Sequence, residues 1–308
     1  MKINRLRVFF LFVVLCIMVS TIIGCGVFSG IKKTTGRIAR DITGSNSGLK
    51  KKVAIGWIQD ATSFSGTDLG AYFGTRLADN VGRACPDMLL AGAGESEGLK
   101  EFFAKNPGRP EPVLLADAGR AMGLNAVLSA RILETGTFLK PAGMLWFKGN
   151  ETWLRMIFNI EVYDTETGAK LLAENLIHEM ELEGEEPQHI DEKKAQGLSF
   201  LKSAMDEPLS DLAEKICDAL HAEPWKSYVT SVSGDAVVLS AGKNSGLIPG
   251  DSLVVYQSRR VIAGVEGRYY LPGVKIGEIR ITSVHANRSE ALRVSGEAGA
   301  VGDMVKKR

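Results

Sequence analysis

The sequence predicts an α+β protein: a two-layer unit of helices on a mixed, mainly antiparallel sheet, followed by a small all-β barrel of the SH3-like kind. Three patterns predict it. Apolar residues recur at helical spacing between Asp68 and Met122, and again from Pro208 to Leu220. They alternate from Leu154 to Leu182, the period of a sheet with one buried face. Beyond Pro224-Trp225 only short strand-like runs and glycine turns remain.

The first strand is the apolar run Val53 to Ile58, and Asp68 then opens a helix with Leu69, Phe73, Leu77 and Val81 on one stripe, ended by Pro86. Met88 to Leu90 reads as a second strand. The acidic, Gly-rich stretch Gly92 to Gly98 reads as loop, with one helical turn at Glu101 to Ala104 before Pro107-Gly108. Pro112 to Met122 is a helix closed by Gly123, and Ala126 to Ile132 is strand-like. In the meander that follows, Leu154, Met156, Phe158, Ile160 and Val162 point one way. Arg155, Asn159, Glu161 and Tyr163 point the other. Asp164-Thr165-Glu166-Thr167-Gly168 is a turn in which Gly168 supplies a positive φ. Residues 181–194, polar and charged, read mostly as exposed loop, and Pro208 starts a helix striped by Leu209, Leu212, Ile216 and Leu220. The barrel strands are Tyr228 to Val232, Ala236 to Leu239, Ser252 to Tyr256, Val274 to Val284 and Glu290 to Val294, with Gly246, Gly250, Gly267, Gly273 and Gly302 at corners.

The amino terminus carries its own signal. Lys2, Arg5 and Arg7 precede an apolar run from Val8 to Val19, too short for the ~20 residues of a permanent span, and small residues follow. This is a cleavable leader. Ile22-Ile23-Gly24-Cys25 resembles the lipobox of bacterial lipoproteins, which implies cleavage before Cys25 and acylation of its thiol and freed amine. Several acyl chains make a firm anchor, since each buried methylene contributes ~0.8 kcal/mol. Gly26 in the next position resembles the pattern of lipoproteins carried to an outer membrane. The expected organisation is therefore a leader at 1–24, a tether at 25–51, the α+β domain at 52–222 and the barrel at 225–308.

A formal net charge of +1 and scattered basic residues give no nucleic-acid footprint. The cluster Lys50-Lys51-Lys52 reads as a solvated domain edge, with acidic lipid head groups as the other reading. Once the leader is gone and Cys25 is acylated, Cys85 and Cys217 remain, at the ends of two predicted helices. An oxidising compartment allows a disulfide between them; two buried small thiols is the alternative.

Three pieces together carry a further resemblance: Val53 to Ile58 with the Asp68 helix, Gly123 to Leu128, and Val162 to Lys170. They resemble the periplasmic domain of the curli-secretion lipoproteins (CsgG-like), shared with the amino-terminal domain of TolB and the middle domain of FlgT. Val238 to Gly242, Ser245 to Asp251 and Ile276 to Ile279, with a second Gly-Asp pair at Gly302-Asp303, resemble the FlgT carboxy-terminal barrel. The resemblance implies a periplasm-facing module that docks on protein partners, often in rings.

A pore of the curli type needs membrane strands of ~9–11 residues with apolar outward faces. Phe138 to Trp153 is the one candidate hairpin, and Lys140, Pro141, Gly143, Lys148, Gly149 and Asn150 interrupt it. It reads as an exposed flap with Met144, Leu145, Trp146 and Phe147 at its tip, either a partner-binding patch or a segment folded back on its own domain.

No arrangement of nucleophile, base and orienting group stands out. His178-Glu179 lacks a second histidine at helical spacing, and His189, His221 and His285 read as surface or structural. Gly92-Ala93-Gly94 lacks the third glycine of a dinucleotide loop, and Gly242 to Gly246 has the wrong order for a nucleophile elbow. The expectation is a non-enzymatic envelope lipoprotein without cofactor or metal, held on a membrane by lipid and docking on envelope proteins or on copies of itself. A periplasmic ligand- or peptidoglycan-sensing lipoprotein is the alternative.

Overall fold

The computed structural model describes residues 48–106, 110–142 and 149–308, with backbone alone at 93–96. Residues Gly48 to Arg308 form one compact unit.

The sheet layer begins with β1 (Lys51–Asp60), α1 (Leu69–Ala84), β2 (Met88–Leu90), α2 (Ala93–Lys105) and α3 (Pro112–Ala121). A meander follows, of β3 (Ala126–Ala142), β4 (Gly149–Asp164) and β5 (Lys170–Glu181), and then α4 (Glu186–Asp191), α5 (Ala195–Ala204) and α6 (Asp206–Ala222). The strand order is β2-β1-β3-β4-β5, parallel around β1 and antiparallel from β3 onward. One face packs on α1 and α6. There Leu69, Phe73, Leu77 and Val81 meet Leu212, Ile216 and Leu220 and the inward row Leu154, Met156, Phe158, Ile160 and Val162. Phe73 stacks on Phe158 with ring centroids 5.4 Å apart.

Among the described residues, the opposite face is covered only near the start of β3, where Leu99 and Phe103 of α2 and Leu115 of α3 close over Ala54, Val127 and Tyr163. The stretch expected to be loop at 92–98 therefore opens a helix. Gly94 and Gly98 cost such a helix about 1 kcal/mol each. Burying Leu99 and Phe103, four residues apart, returns ~1.5–3 kcal/mol apiece, so packing overrides propensity. Likewise 181–194 is not all loop: Pro187 sits in the first turn of α4, and Ile190 drops into the main core.

The second layer holds β6 (Ser227–Ser233), β7 (Ala236–Leu239), β8 (Ser252–Gln257), β9 (Val261–Gly264), β10 (Gly267–Tyr270), β11 (Val274–Val284), β12 (Ser289–Gly296) and β13 (Met304–Lys307). Strands β11-β12-β7-β6-β13-β8 close into an antiparallel barrel, and β9 and β10 form a separate hairpin. Val229, Val237, Leu239, Leu253, Val255, Ile279, Ile281 and Val305 fill the barrel with Trp225 and Leu49. The two Gly-Asp pairs have one local purpose. Asp251 accepts from the Ile248 N–H and Asp303 from the Ala300 N–H, each tying a turn that the preceding glycine closes at φ +93° or +87°.

Candidate interaction surface

Beyond the cover of α2 and α3, the outer face of β3, β4 and β5 carries a cross-strand ladder. Arg131 donates to Asn159 at 2.9 Å, and Asn159 to Asn175 at 2.8 Å. Glu134, Ile157 and Ile177 form the next row by register, and Ile177 is 60% exposed. Further out, Glu179 accepts from both Lys140 and Arg155 at 2.8 Å, and hydrogen bonds from these two cations hold its carboxyl below the usual range. The same cations cover rings: Arg155 lies 4.4 Å from the Phe138 centroid and Lys140 3.5 Å from that of Trp153. The interruptions read in 138–153 do not break the pairing, which runs on to Ala142 opposite Gly149. β5 is the sheet edge, and its twelve residues hold no proline to block a further strand.

A buried polar junction joins the sheet layer to the barrel, and the turn after β4 is its centre. Asp164, Thr165 and Glu166 are each no more than 5% exposed, so this turn is buried. Thr167 donates twice to the Asp164 carboxylate, and Gly168 sits at φ +81°, where a Cβ would come within 2.3 Å of the Pro112 carbonyl oxygen. Lys226, 2% exposed, pairs with Asp164 and lies 3.5 Å from Glu166, which Lys306 also reaches at 3.0 Å. Burial alone would raise the Asp164 carboxyl, yet the Lys226 ammonium and hydrogen bonds from Lys226 and Thr167 take it below the usual range. Against its own burial, Lys226 is raised by Asp164, Tyr228 and Glu166. Tyr228, pushed up to about 12 by burial, shares a 2.8 Å hydrogen bond with the Thr165 hydroxyl. Arg120 donates to the carbonyls of Thr165 and Glu166 and stacks 4.2 Å from the Tyr270 ring centroid. Beside it lies a cleft of about 510 Å³ lined by Asp117, Arg120, Arg259, Val261, Tyr270 and Val301 among others.

Cys25 and the tip residues Met144, Leu145, Trp146 and Phe147 lie outside the described residues. Cys85 and Cys217 come together, bonded, with Cα atoms 5.6 Å apart, inside the usual disulfide range. Of the basic cluster, Lys51 is not a plain solvated edge: its ammonium donates to the Leu220 carbonyl at 2.6 Å, and burial lowers it to about 8. His221 is no isolated histidine either, for it contacts Cys217 and Asp87. The i, i+4 spacing of Cys217 and His221 on a predicted helix was the available signal; the Asp87 contact, far off in sequence, had none.

No protein-family model matches the chain, and no curated protein does. Solved structures do. The hypothetical protein CT253 of Chlamydia trachomatis is 16% identical over 56% of this chain and 99% of its own, with a TM-score of 0.35. Lipoprotein GNA1162 of Neisseria meningitidis is 12% identical over 53% and 99%, with a TM-score of 0.30. The PelC dodecamer of Paraburkholderia phytofirmans is 15% identical over 58% and 92%, with a TM-score of 0.28. Likeness at this level carries no functional argument. Among the described residues, no helix is long and apolar enough to cross a membrane.

Proposed function

We propose that this chain is a lipid-anchored envelope protein, probed best as a non-catalytic assembly module whose open sheet face docks a second copy of itself. The observation that carries the reading is the outer face of β3–β5, uncovered among the described residues and ending in an edge strand without proline. Twelve residues at ~3.4 Å each leave about 40 Å of edge backbone on offer, a feature that proteins ordinarily blunt. Charge and shape on β5 suit a copy of itself. Paired antiparallel about Leu176, two β5 strands set Leu172 against Met180 and Glu174 against His178 across the seam. The rows above add Lys140 and Arg155 beside Glu179 and Glu181, a mixed surface that complements itself when turned over. The lipobox-like start supports the anchored location, and the order of lipobox, sheet layer and Gly-Asp barrel supports the CsgG-like and FlgT-like resemblance.

The test is a photo-crosslinking residue at Ile177 in the full chain, irradiated in intact cells. A self-adduct at twice the monomer mass is the expected product, lost when Ala173→Pro removes a donor from the edge. Adducts confined to a different protein, or to none, overturn the second copy as occupant.

A further inference from the structure

Four residues apart on α6, Cys217 and His221 face the end of α1 and the turn that follows it. Cys217 Sγ lies 3.6 Å from His221 Nδ1, and His221 Nε2 lies 3.0 and 2.8 Å from the two oxygens of Asp87. A carboxylate accepting from Nε2–H leaves the lone pair on Nδ1, the nitrogen that looks at the sulfur. This is the order of groups that activates a thiol: nucleophile, imidazole, orienting carboxylate. The setting otherwise opposes a thiolate, since Cys85 caps the carboxyl end of α1 and Cys217 lies in the last turns of α6, where unpaired carbonyls are negative. A structural disulfide needs no base beside it.

We propose that Cys217, His221 and Asp87 form a thiol-activating set that opens the Cys85–Cys217 pair to exchange with low-molecular-weight thiols and disulfides. From the reduced pair, the Cys217 proton passes to His221 Nδ1 and the thiolate attacks one sulfur of the external disulfide. One half leaves as a thiolate and takes up a proton, and a mixed disulfide stands on Cys217. The deprotonated Cys85 sulfur then attacks Cys217 Sγ, displacing the second half, which is protonated in turn. Two protein thiols are oxidised to one disulfide and one external disulfide is reduced to two thiols. Cys217 takes the first step because it is 6% exposed against 1% for Cys85, and the half-buried His221 flanks it.

The experiment takes the full chain, reduced and freed of reductant, and adds glutathione disulfide over pH ~6 to 9, with acid quenching and mass spectrometry of the adducts. Lys51 of β1, which interacts with Asp87 and with Glu223 beyond α6, stays in every variant. The first adduct is expected on Cys217, with reoxidation about tenfold or more slower in His221→Gln near neutral pH and a rate that then follows simple thiol ionisation. Asp87→Asn, at a partly exposed site, gives an intermediate loss and decides the matter if the histidine variant does not fold. A first adduct on Cys85, or rates in both variants that match the parent chain across the pH range, overturns the proposal.

Discussion

Lys226 is a cation with almost no water around it, and its replacement separates two accounts of the junction. Glu166 keeps Lys306 as a partner at 3.0 Å, so removing Lys226 orphans chiefly Asp164. An uncompensated buried charge costs about 3–5 kcal/mol, whereas removing both members of a pair is often close to neutral. Lys226→Met is therefore expected to lower unfolding free energy in urea by about 3–5 kcal/mol, and Lys226→Met with Asp164→Asn to recover most of it. Equal losses in the single and double variants would mean the pair is not coupled. The pH dependence has a fixed sign. The Asp164 carboxyl is lower folded than unfolded, so its stabilisation is whole above about pH 4 and is lost as pH falls through the folded value. Lys226 is raised, so its share is whole below about pH 10.4 and goes only as pH climbs past that. The two together give a plateau across neutral pH.

The β9–β10 hairpin leaves the barrel and grips the sheet layer. Arg268 forks onto Glu111 at 2.5 and 2.9 Å, the Tyr270 N–H donates to the Thr167 carbonyl at 3.0 Å, and the Tyr270 hydroxyl reaches Asp117 at 2.9 Å. Water screens the Arg268 pair and the hydroxyl contact, while the Tyr270 ring covers the buried Arg120 guanidinium. A desolvated contact of that kind contributes about 2 kcal/mol, so Tyr270→Ala is expected to destabilise by about that much or more, and Tyr270→Phe by under about 1 kcal/mol. Urea midpoints for the two variants decide whether ring or hydroxyl holds the grip. Elements with a strong period were legible in the sequence: the stripe of α1, the alternation of β4 and the barrel turns at Gly246, Gly250 and Gly302 stand where their spacing puts them, whereas Gly267, read as a barrel corner, lies in the separate β9–β10 hairpin. What was hidden depended on distant partners. α2 forms because Ala54 and Val127 offer a face to Leu99 and Phe103, and the Asp164 turn is buried because Lys226 and Tyr228 arrive from the barrel. Single-sequence periodicity contains neither fact. The candidate face was half legible, its outward row of Arg155 and Asn159 being readable while its pairing with Glu179 and Asn175 waited on register.

At the scale of the whole molecule, the docking face is useful only where copies meet, and confinement by lipid is what would bring them together. An extended chain of the length from Cys25 to Gly48 spans at most about 80 Å, so bodies anchored as proposed would share a thin layer against the membrane. Binding within such a layer acts as though concentration were raised to the millimolar range, which lets a weak edge contact serve for assembly. In the proposed reading, acylation is the feature on which self-association would depend, and Cys25→Ser is its test. In cells fed an alkyne-tagged fatty acid, the parent chain should take the label and appear at the mass of a product beginning at Cys25. The serine variant should take none, keep its leader, and lose the Ile177 self-adduct or reduce it about a hundredfold, in line with the loss of effective concentration. A parent chain that carries no label sinks the anchored reading outright. A serine variant that crosslinks to itself as well as the parent leaves the face intact as a contact but removes the membrane from its mechanism.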